Sequence, residues 1–131
     1  MKKIGILNKD ISDVIAGMGH RDKLVVCDAG LPIPSNVRRI DLALREGLPG
    51  LLETVEALLM ELEVEAIILA KELETVSPHV HQAVLEAFEG VEIQAVPHEQ
   101  FKALTREAVA VVRTGEFTPY ANVILVAGVV F

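Results

Sequence analysis

A polar segment late in the chain carries two side chains that suit recognition of a small hydroxyl-rich molecule. It spans residues 113–122, between two short apolar runs rich in β-branched residues. Tyr120 offers an apolar ring with a hydroxyl, and Asn122 offers two donors and an acceptor. Gly115 and Pro119 indicate a connection between two buried strands. Two interpretations stay open, namely a rigid platform for a neutral ligand or an ordinary hairpin in which Tyr120 packs and Asn122 satisfies the turn.

Two polar side chains follow apolar runs that are typical of buried strands. Asp28 follows residues 24–27, and His98 follows the run that ends at Val96. Ligands of open parallel sheets gather at the carboxyl ends of strands, so both side chains could face a ligand. The alternatives are a turn carboxylate for Asp28 and a solvated residue at a helix start for His98. Lys102, four residues after His98, could share its helical face or be a solvated surface lysine.

His20 is a candidate general acid or base. It stands just past the predicted end of a helix, where the helix dipole favours a protonated imidazole. Asp22 lies near in sequence and could add to this effect. Histidine is the usual side chain for proton transfer near neutral pH. The alternative for His20 is a simple C-terminal cap.

The sequence gives no pattern for a metal, a nucleotide cofactor or a covalent intermediate. His79 and His81 lie two residues apart on a predicted helix, so they do not share a face, and no third ligand is near. No glycine cluster of the dinucleotide or P-loop type follows a strand. No serine lies in a nucleophile-elbow pattern, and Cys27 lies within an apolar run. We therefore expect chemistry without cofactor or metal.

Length and charge restrict the partners. A chain of 131 residues predicts one domain over residues 1–131. Hydrophobic residues make up 51%, more than so short a chain can bury alone, which predicts a homo-oligomer. The net charge of −7 repels phosphate backbones, so nucleic acid is an unexpected partner. The single Cys27 suits a reducing cytoplasm, no signal-peptide pattern is present, and the last apolar run is too short to insert in a membrane.

The elements that position these residues alternate along the chain. Helices are predicted after Asn8, over residues 51–62, from Ser77–Pro78 and from Pro97–His98. Strands are predicted over residues 24–27, 40–44, 66–70, 91–96, 108–112 and 123–130. Alternation of this kind predicts a single-domain α/β fold, with a largely parallel sheet and helices on both faces. The last pair of strands could add another pairing direction.

Five stretches of the chain resemble the ribose branch of the ribose/fucose mutarotase family. They cover residues 2–8, 19–22, 28–34, 97–102 and 113–122. The fucose branch typically has Tyr-Gly-Asn where this chain has Tyr120-Ala121-Asn122. It also lacks the Gly-Leu-Pro-x-Pro continuation that follows Asp28-Ala29 here. The chain is therefore similar to the ribose side on both counts.

The resemblance implies an activity and a set of roles. Members of the family interconvert the β-pyranose and β-furanose forms of a sugar without cofactor or metal. By this resemblance His20 is the proton donor, and the sugar-binding residues are Asp28, His98, Tyr120, Ala121 and Asn122, with Ala121 acting through its backbone. Lys102 is added from its helical spacing alone. Family members assemble as rings, commonly decamers of two pentamers, with sites at subunit contacts.

The expected function is therefore cytoplasmic interconversion of D-ribose ring forms by acid–base opening and reclosure. The general base stays open between Asp28 and His98. Three alternatives also stay open: a mutarotase for another sugar such as L-fucose, a non-catalytic sugar-binding protein associated with transport, and a structural ring-forming protein whose histidines only cap helices.

Overall fold

The computed structural model describes residues 1–131 and contains one six-stranded sheet. The strands are β1 (Lys23–Cys27), β2 (Arg38–Asp41), β3 (Val64–Ala70), β4 (Glu92–Val96), β5 (Ala110–Arg113) and β6 (Val123–Ala127). Their order across the sheet is β2-β5-β1-β6-β3-β4. Five strands point the same way, and β6 runs antiparallel to both of its neighbours. The sheet is therefore mixed, and the expected parallel arrangement holds for every strand except β6.

The helices largely follow the predicted positions, with differences at their ends. They are α1 (Lys9–Gly17), α2 (Leu51–Leu59), α3 (Glu72–Val76), α4 (Pro78–Ala87) and α5 (His98–Leu104). The Asn8 side chain caps α1 by accepting the Ile11 N–H at 3.0 Å. The prediction that α2 continues to Leu62 was wrong. Leu62 lies after the turn that ends the helix, but its side chain is buried, so in the sequence it resembles one more position on the apolar face of the helix. None of the helices combines the length and apolar character needed to cross a membrane.

The alternation of side chains along β1 divides the core between the two faces of the sheet. Leu24 and Val26 belong to the larger apolar cluster, which α1, α2 and α4 cover. Val25 and Cys27 belong to a smaller cluster with Phe101 of α5. Burial raises the pKa of the Cys27 thiol to about 12, so this thiol is unsuited to act as a nucleophile. Helices do cover both faces, as predicted, and α3 also contributes Leu73 to the face that α1, α2 and α4 cover.

The segment between β5 and β6 is not a hairpin loop. Strands β5 and β6 lie on opposite sides of β1 and each pairs with it. Residues 114–122 must therefore cross the carboxyl end of β1, where Asp28 lies. The hairpin interpretation was wrong because the strand that separates β5 from β6 comes from the first quarter of the chain. This crossing brings the polar segment onto the residue that follows β1.

Gly115 gives a first test of how firmly this crossing segment is held. A methyl group there would lie 2.3 Å from the carbonyl oxygen of Arg45 and 2.8 Å from the backbone nitrogen of Leu48. Backbone hydrogen bonds join Gly115 to Gly47 and Pro49, at 2.7 and 2.8 Å, so these atoms cannot easily shift. We expect Gly115→Ala to lower the free energy of unfolding by about 1–3 kcal/mol in urea denaturation.

Gly17→Ala is the matched control, because a methyl group at the end of α1 would meet no atom within 4 Å. It should leave stability unchanged or raise it slightly. Equal unfolding midpoints for Gly115→Ala and the wild type would contradict the packing described for the crossing segment.

Candidate active site

Asp28 and Asn122 form a reciprocal pair at the carboxyl end of β1. The Asp28 N–H donates to Oδ1 of Asn122 at 2.8 Å, and Nδ2 of Asn122 donates to Oδ2 of Asp28 at 2.9 Å. Asn122 is fully buried, so these two bonds fix its amide. The Gly30 N–H donates to Oδ1 of Asp28 at 2.9 Å, as the turn interpretation predicts. A carboxylate has about four acceptor positions, so Asp28 keeps capacity for the hydroxyls of a ligand.

An open recess of about 570 Å³ lies beside this pair. It is lined by residues 28–30, by Arg113 and by residues 116–119. Its volume is within the range of small-molecule sites. Nε of Arg113 donates to the Ala29 carbonyl oxygen at 3.1 Å and Nη1 donates to Asp41, so the guanidinium braces the wall.

His98 and Tyr120 place two rings next to each other. Their centroids lie 5.0 Å apart with an interplanar angle of 82°, an edge-to-face contact. The His98 N–H donates to both carboxylate oxygens of Glu72, at 3.2 and 3.0 Å, which ties the start of α5 to the start of α3. Backbone hydrogen bonds, from Glu72 itself and then from His98, lower the pKa of the Glu72 carboxyl. Nδ1 of His98 is buried without a hydrogen-bond partner, which a bound ligand could supply.

The tight backbone at residues 120–122 determines what each residue can offer. Tyr120 has φ +61°, a left-handed conformation that costs free energy for a residue with a side chain. Strain of this kind is often found at functional sites. The Asn122 N–H donates to the Tyr120 carbonyl oxygen at 2.8 Å. Ala121 is fully buried and its methyl group packs in the larger apolar cluster, so its side chain is not available to a ligand.

Glu116 holds the crossing segment against α2. Its Oε2 accepts the Leu51 N–H at 3.1 Å, and its Oε1 accepts the Thr118 hydroxyl at 2.6 Å. Burial opposes ionisation, but the hydrogen bonds from Thr118 and Leu51 lower the pKa of Glu116 below its ordinary value of 4.5. No sequence pattern indicated a role for Glu116, although it lies in the same polar segment as Tyr120 and Asn122.

Glu116 makes stability depend on pH in a defined direction. Because its pKa is lower in the folded protein, the carboxylate stabilises the fold above about pH 4.5, and this stabilisation is lost as the pH falls through the folded value. We expect Glu116→Gln to unfold at a lower temperature than the wild type at pH 7, with the difference shrinking towards pH 3. Calorimetry at several pH values measures it, and Glu89→Gln, at an exposed residue, is the control. A difference independent of pH would contradict this role.

Two of the predicted site residues lie elsewhere. Lys102 pairs with Glu99 at 2.7 Å and lines a neighbouring recess with residues 32–34. His20 precedes β1 whereas Asp28 follows it, and the five residues of β1 span about 13 Å. Nε2 of His20 contacts Oε2 of Glu65 at 2.9 Å. Within one chain the structure therefore brings together Asp28, His98, Tyr120, Ala121 and Asn122, but neither His20 nor Lys102.

Comparison with known proteins identifies the family. The sequence profile of the RbsD / FucU transport protein family matches residues 1–130, and the chain belongs to this family. D-ribose pyranase of Geobacillus kaustophilus is 51% identical over 131 residues, 100% of this chain and 96% of that protein. D-ribose pyranase of Chloroflexus aggregans is 54% identical over 131 residues, with complete coverage of both chains.

Solved structures separate the two branches of the family. Bacillus subtilis RbsD complexed with D-ribose matches with a TM-score of 0.98 and 48% identity over the whole of both chains. The fucose mutarotase of Streptococcus pneumoniae in complex with L-fucose matches with a TM-score of 0.79 and 26% identity over 95% of each chain. The chain is therefore more similar to the ribose-complexed protein in both sequence and structure.

Proposed function

We propose that this protein is a D-ribose pyranase, an isomerase that interconverts the β-pyranose and β-furanose forms of D-ribose without a cofactor. One observation carries the proposal: relatives about half identical over their full length have that name. The recess beside Asp28 and Asn122 supports it, because a neutral sugar needs hydrogen-bonding groups and no anion-binding loop. The whole chain, residues 1–131, acts as a single catalytic domain.

The reaction needs an acid and a base that reach the two oxygens bonded to the anomeric carbon. Opening the hemiacetal requires removal of the anomeric hydroxyl proton and protonation of the ring oxygen. Asp28, Asn122 and the backbone of Ala121 hold the hydroxyls, while the rings of His98 and Tyr120 pack on the apolar face of the sugar. His20 donates the proton to the ring oxygen, and either Asp28 or His98 takes the anomeric proton. Lys102, which lines a different recess and pairs with Glu99, takes no part in these steps.

His20 reaches the sugar only from another copy of the chain, so the proposal includes a subunit-shared site in a ring-shaped homo-oligomer. Members of the ribose/fucose mutarotase family commonly form decamers of two pentamers, and we expect the same assembly for this protein. Many large apolar side chains are exposed in the single chain, more than isolated monomers usually show: Ile4, Leu7, Leu44, Met60, Phe117 and Val130. We also propose a cytoplasmic location, because Cys27 is a free buried thiol that suits a reducing compartment.

Exchange NMR on D-ribose tests the proposal. The protein should increase magnetisation transfer between the pyranose and furanose signals, and a parallel sample with L-fucose measures sugar preference. Faster exchange for fucose than for ribose would favour the other branch. Ribose that shifts protein resonances without any ring exchange would show a non-catalytic binder, and no shift at all would favour a structural protein.

A further inference from the structure

The contacts of His20 include a carboxylate that the proposed function does not use. Nε2 of His20 and Nη1 of Arg21 contact the two oxygens of Glu65, at 2.9 and 2.7 Å. We propose that Glu65 is the positioning residue of the catalytic acid: it holds His20 through Nε2, so that Nδ1 is the nitrogen that exchanges a proton with the sugar. This inference rests on the proposed role of His20 as proton donor.

Three backbone features build this contact. Glu65 is the extra residue where the register between β3 and β6 shifts, and bulges of this kind re-aim side chains beside active sites. Arg21 has φ +71°, a left-handed conformation that lets two consecutive side chains reach one carboxylate. Gly128 approaches Glu65 so closely that a methyl group there would lie 3.2 Å from the Glu65 Cβ. The His20–Glu65 pair is therefore held by backbone geometry on three separate segments.

The turn that carries His20 is itself fixed. The Gly19 N–H donates to Oδ2 of Asp22 at 2.8 Å, and the Arg21 N–H donates to the Ala127 carbonyl oxygen at 2.9 Å. The first bond closes the turn, and the second joins the turn to the end of β6. The His20 side chain is about half exposed at 52%, so the imidazole edge that does not face Glu65 is open to a neighbouring copy.

The acceptor chemistry of a carboxylate selects the nitrogen. An ionised carboxylate only accepts hydrogen bonds, so Nε2 must carry a proton in both charge states of the ring. Hydrogen bonds from Arg21 and then from His20 lower the pKa of the Glu65 carboxyl, which keeps it ionised at neutral pH. The proton that comes and goes is therefore the one on Nδ1. A carboxylate that orients a catalytic imidazole in this way also stabilises its protonated form.

The proton steps balance through Nδ1. In ring opening, the bond between C1 and the ring oxygen breaks, its electron pair goes to that oxygen, and the oxygen takes the Nδ1 proton. The general base removes the anomeric hydroxyl proton as the carbonyl forms. In reclosure, the C4 hydroxyl oxygen bonds to C1 and returns its proton to Nδ1, while the carbonyl oxygen regains a proton from the base. His20 ends as it began, and the pyranose has become a furanose.

Other charged groups surround His20, but only Glu65 is within hydrogen-bond distance of the ring. The remaining groups on its own turn and on the elements packed beside it are Arg21, Asp22, Glu61 and Glu63. Glu63 lines the same recess as His20, whose hydrogen bond and ion pair are with Glu65 and not with Glu63. It therefore provides a control with the same change of charge and no hydrogen bond.

NMR titration of the His20 imidazole in the assembled protein tests the inference independently of activity. We expect Glu65→Gln to move the His20 titration midpoint to lower pH, and Arg21→Ala to move it to higher pH by leaving Glu65 to His20 alone. Glu63→Gln should move it less than Glu65→Gln. In wild-type protein above the midpoint, ¹⁵N shifts should place the remaining proton on Nε2.

The pH profile of ribose ring exchange gives the second measurement. Because the acid must be protonated, Glu65→Gln should lower the exchange rate by about 3-fold on the alkaline limb and leave it unchanged on the acidic side. An unmoved midpoint in Glu65→Gln, an equal shift in Glu63→Gln, or a proton on Nδ1 of the neutral ring would each overturn the inference. Undiminished exchange in a His20→Ala variant would instead contradict the proposed role of His20 as the acid. The titration of His20 would still test its contact with Glu65.

Discussion

Replacement of His20 by Ala is expected to slow ribose ring exchange by about 10²–10⁴-fold, the usual contribution of a positioned acid or base. Ribose binding should change little, because Asp28 and Asn122, which we propose hold the sugar hydroxyls, are unchanged in this variant. Exchange NMR measures the rate, and isothermal calorimetry measures the affinity. His81→Ala, a histidine change within α4, is the control and should retain wild-type exchange. A His20→Ala variant with the wild-type exchange rate would contradict the assignment.

Mixed assemblies extend this test to the shared site. Asp28→Ala should also inactivate the protein, since it removes the carboxylate beside the recess. If His20 and Asp28 of one site come from different copies, oligomers reassembled from equal amounts of the two variants contain some intact sites. Random mixing predicts about a quarter of the wild-type sites. Failure to recover any exchange, in oligomers shown to contain both variants, would contradict a site shared between subunits.

Asn122→Asp is expected to have the largest effect on ribose binding. It replaces the Nδ2 donor, 2.9 Å from Oδ2 of Asp28, by a second acceptor in a fully buried position. Two carboxylates then face each other, and the Asp28 carboxylate keeps only the hydrogen bond from the Gly30 N–H. We expect the free energy of unfolding at pH 7 to fall by about 3 kcal/mol and ribose affinity to fall by about 100-fold.

The exposed residue Asn36 provides the matched control, because Asn36→Asp makes the same change of charge in water. Calorimetric titration with ribose and urea denaturation measure both effects. The stability loss of Asn122→Asp should also diminish at low pH, where one carboxyl of the pair is protonated. Wild-type ribose affinity in Asn122→Asp would show that the Asp28–Asn122 pair does not hold the sugar.

The sequence predicted the local parts of the candidate site better than their arrangement. The runs that became β1 and β4 were located from the sequence, and Asp28 and His98, which follow them, were placed at the carboxyl ends of those strands. The hairpin interpretation was possible because nothing in the local sequence indicates that β1 separates β5 from β6. Strand pairing is decided by contacts distant in sequence, which short-range patterns do not record.

The separation of His20 from Asp28 within one chain was predictable from the sequence. His20 precedes β1 and Asp28 follows β1, so an extended strand already implies that one chain cannot bring them together. The contact of Glu65 with His20 could not be predicted from the sequence pattern, because the direction of the Glu65 side chain depends on the shift of register between β3 and β6. The short helix α3 was also missed, because five residues are too few to show a helical period.

The central position of β6 has a consequence for synthesis of the protein. Strands β2, β5 and β1 form one group and β3 and β4 another, and only β6 joins the two. A chain that lacks residues 123–127 can therefore form at most two separate part-sheets, each with an unpaired strand edge. The pairing of β6 with β1 also brings Asn122 to Asp28. A chain that stops before β6 is made is thus left without the Asp28–Asn122 pair, and its unpaired strand edges favour aggregation.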